Sequence, residues 1–377
     1  MKVLIIGPRF HYFNQSIERA FRTLGYETRV LAYDTPVHPY DTVNKVRYKL
    51  AWDKLAVKRQ SRALFHLEAE LAFEEYQPDV VFVMNGDMLL PDTLLHWRGR
   101  MEDDPEPVEK PAKVALWFFD SCTHIPLCED NIPAVDAVFC YEQTDIPKIR
   151  ERFGVEAHFL PQAVDTELYH PLNDNARQEE IPHSSLHTPS FHYDLVFAGD
   201  IFHSQKRREV IQAVVAHYPQ LRMRVWGEYK PWYKNLWQWL TRERKDVYMN
   251  RNASGKQLNE DYNRARIVLN IHHEQQQDGA NPKVYEISAT GCYQICDANP
   301  YIAGLFPNGE VGLYQIDMTA GVEHRYDSLF ACIDHALAHD MSAQGRAARE
   351  VICQGHTFVQ RVQRVLEALG VKFAEQA

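Results

Sequence analysis

Short apolar runs alternate along the chain with stretches whose apolar residues recur every three or four positions. The first run, residues 2–6, ends at Gly7-Pro8, and residues 14–24 follow with helical spacing before Gly25. Because unbroken apolar runs indicate buried strands and a 3.6-residue period indicates an amphipathic helix, this succession predicts strand, helix and strand. The pattern continues along the chain and predicts an α/β fold with mostly parallel sheets and helices on both faces.

The same pattern divides the chain into two halves. Strands are expected at 2–6, 26–33, 79–84, 113–119, 134–141 and 157–160, then at 193–198, 222–226, 267–271 and 292–296. Helices are expected at 14–24, 43–76, 145–153, 206–217, 231–241, 255–264, 326–339 and 357–369, with a short helix after residue 281. A polar stretch rich in Pro, His and Ser separates the halves. We predict an N-terminal Rossmann-like domain over 1–165, a linker or surface loop over 166–190, a C-terminal Rossmann-like domain over 191–355, and a terminal helix over 356–377 that could pack back on the first domain.

Composition supports a globular protein of two domains. The 377 residues are too many for one ordinary core, and 45% are hydrophobic and 24% charged. The net charge of −10 does not favour a nucleic-acid partner. The seven cysteines form no Cys-x-x-Cys pair, so free thiols in a reducing cytoplasm are expected rather than a zinc site. No apolar run approaches 18 residues and no signal peptide is recognised, so we expect a cytoplasmic protein.

The loop at residues 278–286 is the strongest candidate for chemistry. It reads Asp-Gly-Ala-Asn-Pro-Lys-Val-Tyr-Glu and lies between the strand at 267–271 and a helix of small residues. Open parallel sheets bind ligands at the carboxyl ends of their strands, and backbone N–H groups at a helix start can hold phosphate. We therefore predict a ligand loop here, in which Glu286 could accept hydrogen bonds from a ribose diol.

A second candidate loop begins at Gly199, where the strand at 193–198 ends. It leads into a helix whose first turn carries Lys206, Arg207 and Arg208. Cations are unfavourable at a helix N-terminus, because the helix dipole already makes that end positive, so a nearby anion is expected. Lys206, Arg207 and Lys283 are the candidate phosphate ligands, and a solvated basic face is the alternative.

Three passages resemble GT-B glycosyltransferases, and more narrowly the CgeB-like "glycosyl transferases group 1" set. Residues 160–171, LPQAVDTELYHP, are similar to the interdomain pattern LPxxVDxxxFxP. Phe197-Ala198-Gly199-Asp200 with the cations at 206–208 resembles FxGxxxxxR. Asp278 and Glu286 are similar to the E-x7-E pair of retaining members, with Asp in place of the first Glu, and residues 281–286 resemble the NxRxFE motif.

The resemblance implies a GT-B fold, in which two Rossmann-like domains face a central cleft and a nucleotide-sugar donor binds the second domain. Glu286 would bind the donor ribose, and Lys206 or Arg207 with Lys283 would stabilise the leaving diphosphate without a metal. Asp278 would lie near the donor sugar, although a helix N-cap is an alternative role for it. Gly199 and Asn281 belong to the same donor-binding passages. The donor would be a UDP- or GDP-linked sugar that serves as a co-substrate, with no resident cofactor.

The N-terminal half is expected to hold the acceptor at its strand ends. Asp120, Asp87 and His11 are the candidate catalytic bases there, since each follows an apolar strand. Asp120 is preferred, because the very apolar strand before it aims it out of the sheet. For each of the three, a loop side chain that bonds the backbone is the alternative.

Two further features allow alternative interpretations. Residues 230–245 mix aromatics and cations, so they could touch an anionic membrane that bears a lipid-linked acceptor, or form an ordinary helix with buried tryptophans. His272-His273 could contact a phosphate or base, but adjacent strand residues point in opposite directions, which disfavours joint metal binding.

We therefore expect a glycosyltransferase that moves a sugar from a nucleotide-sugar donor to a hydroxyl acceptor, such as a glycan or glycoconjugate, with retention favoured. A non-catalytic sugar-nucleotide or polysaccharide-binding protein is the alternative from another class. A GT-B-shaped epimerase or phosphorylase, and a phage-type enzyme that glycosylates modified DNA bases, are alternative enzymes.

Overall fold

The chain folds into two units. The computed structural model describes residues 1–9, 12–33, 50, 52–101, 105–122, 127–172, 191–228, 246–274, 276, 278–321 and 323–371. The first unit comprises Met1–Pro161 together with Phe358–Ala377, and the second comprises Gln162–Thr357. The expected helix at 231–241, the basic aromatic stretch 230–245 and most of the polar stretch 166–190 lie outside the described residues.

A parallel sheet forms the centre of the first unit. Its strands are β1 (Lys2–Pro8), β2 (Glu27–Tyr33), β3 (Val80–Met84), β4 (Lys113–Phe118), β5 (Ala137–Cys140) and β6 (Ala157–Phe159). Their order is β2-β1-β3-β4-β5-β6, and every neighbouring pair is parallel. All five residues of β3 are buried, as expected for a strand covered on both faces.

Helices pack on both faces of this sheet. They include α1 (Phe13–Thr23), α2 (Lys54–Tyr76), α3 (Pro91–Trp97) and α4 (Asp145–Phe153). The Asp53 side chain caps α2 by accepting a hydrogen bond from the Ala56 N–H, and Gly154 ends α4 in the left-handed conformation. The core is rich in aliphatic and aromatic side chains, including Trp97 stacked on Phe73 at 4.9 Å between ring centroids.

The second unit repeats this architecture with a parallel sheet of order β11-β10-β9-β7-β8. Its strands are β7 (Tyr193–Ala198), β8 (Met223–Trp226), β9 (Ala265–Asn270), β10 (Gln294–Asp297) and β11 (Gly312–Tyr314). Its helices are α5 (Gln205–His217), α6 (Gly255–Asn263), α7 (Pro282–Ala289), α8 (Pro300–Leu305), α9 (Asp327–Ala338) and α10 (Ser342–Gly355). Serine or asparagine side chains cap α5, α6, α7 and α8, which fixes where each helix begins.

The last helix, α11 (Phe358–Ala368), belongs to the first unit. It packs against α1, where the Phe13 and Phe358 rings lie 6.2 Å apart. The fully buried Arg361 donates from Nε to the carbonyl of Pro161 at 2.7 Å. Both units have a parallel sheet, which confirms the α/β fold that the sequence predicted.

Several elements differ from the expectation. The expected strand at 134–141 is shorter, because residues 129–134 form a 3₁₀ helix that contains Pro133. The sequence pattern did not indicate α3, α8, α10 or β11. All seven cysteines are free thiols, four of them buried. None of the helices in the described ranges is long and apolar enough to span a membrane.

Candidate functional site

The loops after β7, β9 and β10 place the predicted donor-site residues at one edge of the second sheet. Because these strands are parallel and adjacent in the sheet, their carboxyl ends share an edge. Lys206 and Arg207 follow β7 in the first turn of α5, whereas Lys283 and Glu286 follow β9 on α7. The sequence therefore found two of the three loops that build this edge.

The turn at Gly199 is held close to the end of β8. The Gly199 N–H donates to the carbonyl of Trp226 at 3.1 Å, and Gly227 follows with a φ of 131°. A Cβ at Gly227 would lie 2.0 Å from the Gly199 carbonyl oxygen, so only glycine fits there. This close approach fixes the path of the loop that leads to α5.

The N-terminus of α5 is bound by a carboxylate of the protein itself. Glu274 accepts from the Ser204 hydroxyl and from the Lys206 backbone N–H, both at 2.7 Å. Burial alone would raise the pKa of the Glu274 carboxyl, but the Lys206 N–H and the Ser204 hydroxyl outweigh it and lower this pKa to about 2. The anion expected beside the cations of α5 is thus supplied in part by Glu274.

A second carboxylate, Asp297 at the end of β10, pairs with the side chain of Lys206. The Lys206 Nζ to Asp297 Oδ2 distance is 2.5 Å, and Asp297 Oδ1 lies 2.6 Å from His272 Nδ1. Burial would raise the pKa of Asp297, but the charges and hydrogen bonds of His272 and Lys206 hold it well below its usual range. Lys206 therefore reaches across the end of β9, and its ammonium is positioned by a carboxylate two strands away.

Arg207 and Arg208 donate instead to backbone carbonyls. Arg207 Nε bonds the Ile271 carbonyl at 2.9 Å and its Nη1 bonds that of Asp200 at 3.3 Å, while Arg208 Nη1 bonds the Ile201 carbonyl at 3.1 Å. Burial lowers the pKa of the Arg207 guanidinium. Arg207 holds the loop to the end of β9, which is a structural use of the residue that the sequence presented as a phosphate ligand.

Asn281 is the N-cap of α7, since its side-chain oxygen accepts from the Val284 N–H at 3.2 Å. Its amide also exchanges two hydrogen bonds with Asn270, at 3.0 and 2.9 Å. Asn270 in turn donates to Gln294 at 3.0 Å. This buried amide network ties α7 to β9 and β10, so Asn281 positions the helix that carries Lys283 and Glu286.

Lys283 and Glu286 form an ion pair on one face of α7. Lys283 Nζ lies 2.6 Å from Glu286 Oε2, and the Glu286 side chain is 2% exposed whereas that of Lys283 is 23% exposed. The phenol of Tyr169 also hydrogen-bonds Glu286. Burial first, and then the Glu286 charge, raise the pKa of Tyr169 well above its usual value. The carboxylate proposed for ribose binding is thus held between a buried phenol and a partly exposed ammonium.

Asp278 is half-buried in the turn before α7. It is not the helix cap, because that position belongs to Asn281. The Asn299 side-chain amide donates to the adjacent Gly279 carbonyl at 2.8 Å and so fixes this turn. A role for Asp278 beside the donor sugar stays a prediction.

The two described acceptor-side candidates differ in their surroundings. Asp87 is buried, with its Oδ2 2.9 Å from Lys58 Nζ and its Oδ1 accepting from the Tyr33 hydroxyl at 2.6 Å. Asp120 is exposed at the end of β4. His11 lies outside the described residues. An exposed carboxylate can reach an acceptor directly, so the geometry favours Asp120 over Asp87, and the catalytic role of each stays a prediction.

The adjacent histidines have different surroundings, and both follow the end of β9 at Asn270. His272 is buried against Asp297, whereas His273 is half-buried with its Nδ1 3.5 Å from Glu274. Within the described residues, no group of three or more His, Cys, Asp or Glu side chains is arranged to hold a metal ion.

Sequence reasoning missed Asp297 and Tyr169. Asp297 could have been found, because it directly follows an apolar strand, which is the signal that selected Asp120 in the first half. Tyr169 carries no comparable signal, since its contact with Glu286 joins residues far apart in the chain.

Residues 206–367 match the model of the glycosyl transferase-like family. No curated protein matches the chain by sequence. For three of the solved structures that match it, 98% of this chain and 99% of the other chain are covered. Sucrose-phosphate synthase from Thermosynechococcus elongatus is 12% identical with a TM-score of 0.67 and covers 98% of this chain and 99% of its own. The starch synthase IV catalytic domain from Arabidopsis thaliana, bound to ADP and acarbose, is 10% identical with a TM-score of 0.66. HepE from Anabaena, in complex with UDP and glucose, is 13% identical with a TM-score of 0.58.

These matches confirm the GT-B fold, because the neighbours are GT-B glycosyltransferases aligned over both units of this chain. The family match over residues 206–367 adds the class of enzyme. The chain has the GT-B fold, and the family matched over residues 206–367 indicates a glycosyltransferase. Its assignment to the CgeB-like subset stays a prediction.

Proposed function

We propose that the enzyme transfers a sugar from a nucleoside-diphosphate donor to a hydroxyl acceptor, with the donor bound at the carboxyl edge of the second sheet. The supporting observation is the pair of lysines, Lys206 and Lys283, that the loops after β7 and β9 bring to this edge. Each ammonium is paired with a carboxylate, Asp297 or Glu286, at 2.5 and 2.6 Å. Both side chains keep partial exposure, so a diphosphate can reach them.

In this proposal the two ammonium groups stabilise the negative charge that develops on the diphosphate as it leaves. Charge that is positioned before the reaction stabilises such a transition state more effectively than reorganising water does. Asp297 and Asn281 supply that positioning, because they orient Lys206 and the start of α7. Glu286 binds the ribose, and Asp278 lies beside the donor sugar.

The acceptor hydroxyl is placed at the carboxyl edge of the first sheet, where Asp120 is exposed. A glycan or glycoconjugate is the proposed acceptor. Retention is favoured by the similarity of Asp278 and Glu286 to the acidic pair of retaining enzymes. In that case Asp120 would orient the acceptor, whereas in an inverting enzyme it would take the acceptor proton.

The assignment of Lys206 is tested with a matched pair of variants, Lys206→Met and Lys256→Met. Both lysines are the second residue after a serine N-cap, Ser204 or Ser254, and Lys256 is exposed. Loss of one charge-assisted hydrogen bond, about 1.5–3 kcal/mol, should weaken nucleoside-diphosphate binding about tenfold or more in Lys206→Met. Lys256→Met should change it less than about twofold.

Calorimetric titration with the diphosphate and with the matching nucleoside separates the loss of a phosphate contact from a general disruption of the binding site. Equal losses for both ligands in Lys206→Met would contradict a phosphate role for this lysine. A donor panel then tests turnover, because release of the nucleoside diphosphate with transfer or hydrolysis supports an enzyme. Tight donor binding without turnover in the presence of every acceptor tested would favour a non-catalytic sugar-nucleotide-binding protein.

A further inference from the structure

The Lys283–Glu286 ion pair has a geometric consequence for donor binding. Glu286 Oε2 is occupied by the Lys283 ammonium at 2.6 Å, and the Glu286 side chain is 2% exposed. A ribose diol therefore cannot reach this carboxylate until Lys283 moves. We infer that Lys283 exchanges partners on donor binding: it covers Glu286 in the ligand-free protein and moves to the donor diphosphate, which opens Glu286 to the ribose. This inference rests on the proposed function.

The chemistry of the three groups suits such an exchange. A buried carboxylate without a partner is costly, so Glu286 needs a hydrogen-bond donor in both states. Lys283 supplies it before binding and the ribose hydroxyls supply it afterwards. Lysine carries a compact charge on a flexible stem, and Lys283 is 23% exposed, so its ammonium can swing toward a phosphate. The two halves of the donor would then be recognised in one coupled movement.

Tyr169 keeps the carboxylate in place while the partners exchange. Its phenol hydrogen-bonds Glu286, and the residue is 1% exposed, with its ring stacked on that of Tyr262 at 6.4 Å between centroids. Such a buried ring has little freedom to follow the lysine. Tyr169 is thus a positioning residue, which acts on the donor through Glu286.

The exchange makes an unusual prediction for Lys283→Met. Without the ammonium, a nucleoside no longer has to displace Lys283, so its affinity should rise about tenfold. The nucleoside diphosphate is relieved of the same displacement but loses a charge-assisted contact equivalent to about 10- to 100-fold in affinity, so the ratio of diphosphate to nucleoside affinity should fall about tenfold or more. A lysine that merely attracts phosphate would lower the diphosphate affinity and leave the nucleoside affinity unchanged.

Lys148→Met is the matched control, because Lys148 forms a similar pair with the buried Asp145 three residues away, at 3.0 Å. It should leave both affinities unchanged. Since Met at 283 leaves Glu286 without a cation and could impair folding, Lys283→Gln, which keeps an N–H donor, is measured in parallel. It should shift the ratio in the same direction by a smaller factor.

Tyr169→Phe provides a separate readout of positioning. Loss of the phenol should weaken the nucleoside and the nucleoside diphosphate by the same factor, several-fold for each, because it acts on the ribose contact alone. A selective loss of diphosphate binding in this variant would contradict its role.

Calorimetric titrations of these variants with a nucleoside and its diphosphate decide the inference. If wild-type protein binds a diphosphate and the nucleoside affinity rises in neither Lys283 variant, the exchange is wrong and the proposed function stands. If wild-type protein binds no nucleoside diphosphate, the proposed function fails and the exchange fails with it.

Discussion

Replacement of Asp297 by Asn tests how the end of β10 holds the site together. Asp297 accepts from Lys206 Nζ at 2.5 Å, from His272 Nδ1 at 2.6 Å and from the His272 backbone N–H at 2.8 Å. Asn keeps the shape of the side chain and removes its charge. The variant should therefore loosen α5 and the end of β9 without creating a cavity.

The size of the expected stability loss follows from the two side-chain contacts, with Lys206 and with His272, in which the charged carboxylate is replaced by a neutral amide. Hydrogen bonds to charged groups contribute about 1.5–3 kcal/mol each. Lys206 is 28% exposed and can regain water, so its share lies at the lower end of that range. We expect a loss of about 3 kcal/mol in the free energy of unfolding at pH 5, the lower end of the cost of breaking a buried ion pair.

The lowered pKa of Asp297 determines how the stability difference between wild type and variant changes with pH. The native pKa of Asp297 lies well below its usual range: burial raises it, but His272 and then Lys206 outweigh that effect. A depressed native pKa contributes stability that is fully present above the unfolded pKa of about 3.9 and is lost as the pH falls toward the native pKa. The difference between wild type and variant should therefore narrow below about pH 4, by up to about 1.4 kcal/mol per pH unit.

Urea unfolding at pH 5, 4 and 3, followed by tryptophan fluorescence and circular dichroism, measures this difference. Glu367→Gln, which removes an exposed carboxylate on α11, should stay within about 0.5 kcal/mol of wild type. A difference below about 1 kcal/mol at pH 5 for Asp297→Asn would show that its ionic contacts contribute little to stability. A difference that does not narrow at pH 3 would contradict the depressed pKa of Asp297.

The same urea assay tests one contact in each unit: Gly227→Ala in the second unit, with Gly309→Ala as its control, and Lys58→Met in the first. Gly227→Ala should cost about 3 kcal/mol, because its Cβ would lie 2.0 Å from the Gly199 carbonyl oxygen, whereas Gly309→Ala, with open space around it, should cost about 1 kcal/mol. Equal costs would contradict the close approach. Lys58→Met should cost about 3–5 kcal/mol, because it leaves the buried Asp87 without its cation. A loss below about 1 kcal/mol would show that Asp87 is solvated.

Most of the fold was predictable, because its main elements carry strong local signals. The apolar runs of β1, β3 and β7 and the spacing of α1 gave bounds within two residues of those observed. The elements missed have weak signals. β11 has three residues, and α10 contains Gly345, whose Cβ would lie 2.4 Å from the Gly291 carbonyl oxygen. That glycine reflects a tertiary contact, which lies outside local periodicity.

The candidate site was predictable in position and only partly in chemistry. Lys206, Lys283 and Glu286 were found because they follow strands whose carboxyl ends meet. Their pairings were not predicted, because Asp297 lies 91 residues from Lys206 in the sequence and Tyr169 is in another loop. Arg207 also bonds the Ile271 and Asp200 carbonyls, a structural use that the sequence did not indicate, and its role as a phosphate ligand stays a prediction. Charge alone does not reveal which cations the backbone already occupies.

The proposed donor site is tested by measuring how nucleoside diphosphates bind to the wild-type protein and to Glu286→Ala. Thermal unfolding with UDP, GDP, ADP, dTDP and CMP reports binding, because a ligand that binds only the folded state raises the apparent stability. We predict that at least one diphosphate stabilises the wild-type protein saturably and that Glu286→Ala weakens this effect about tenfold or more. Equal stabilisation of both proteins, or of neither, would contradict a donor site built on Glu286 and its neighbouring lysines.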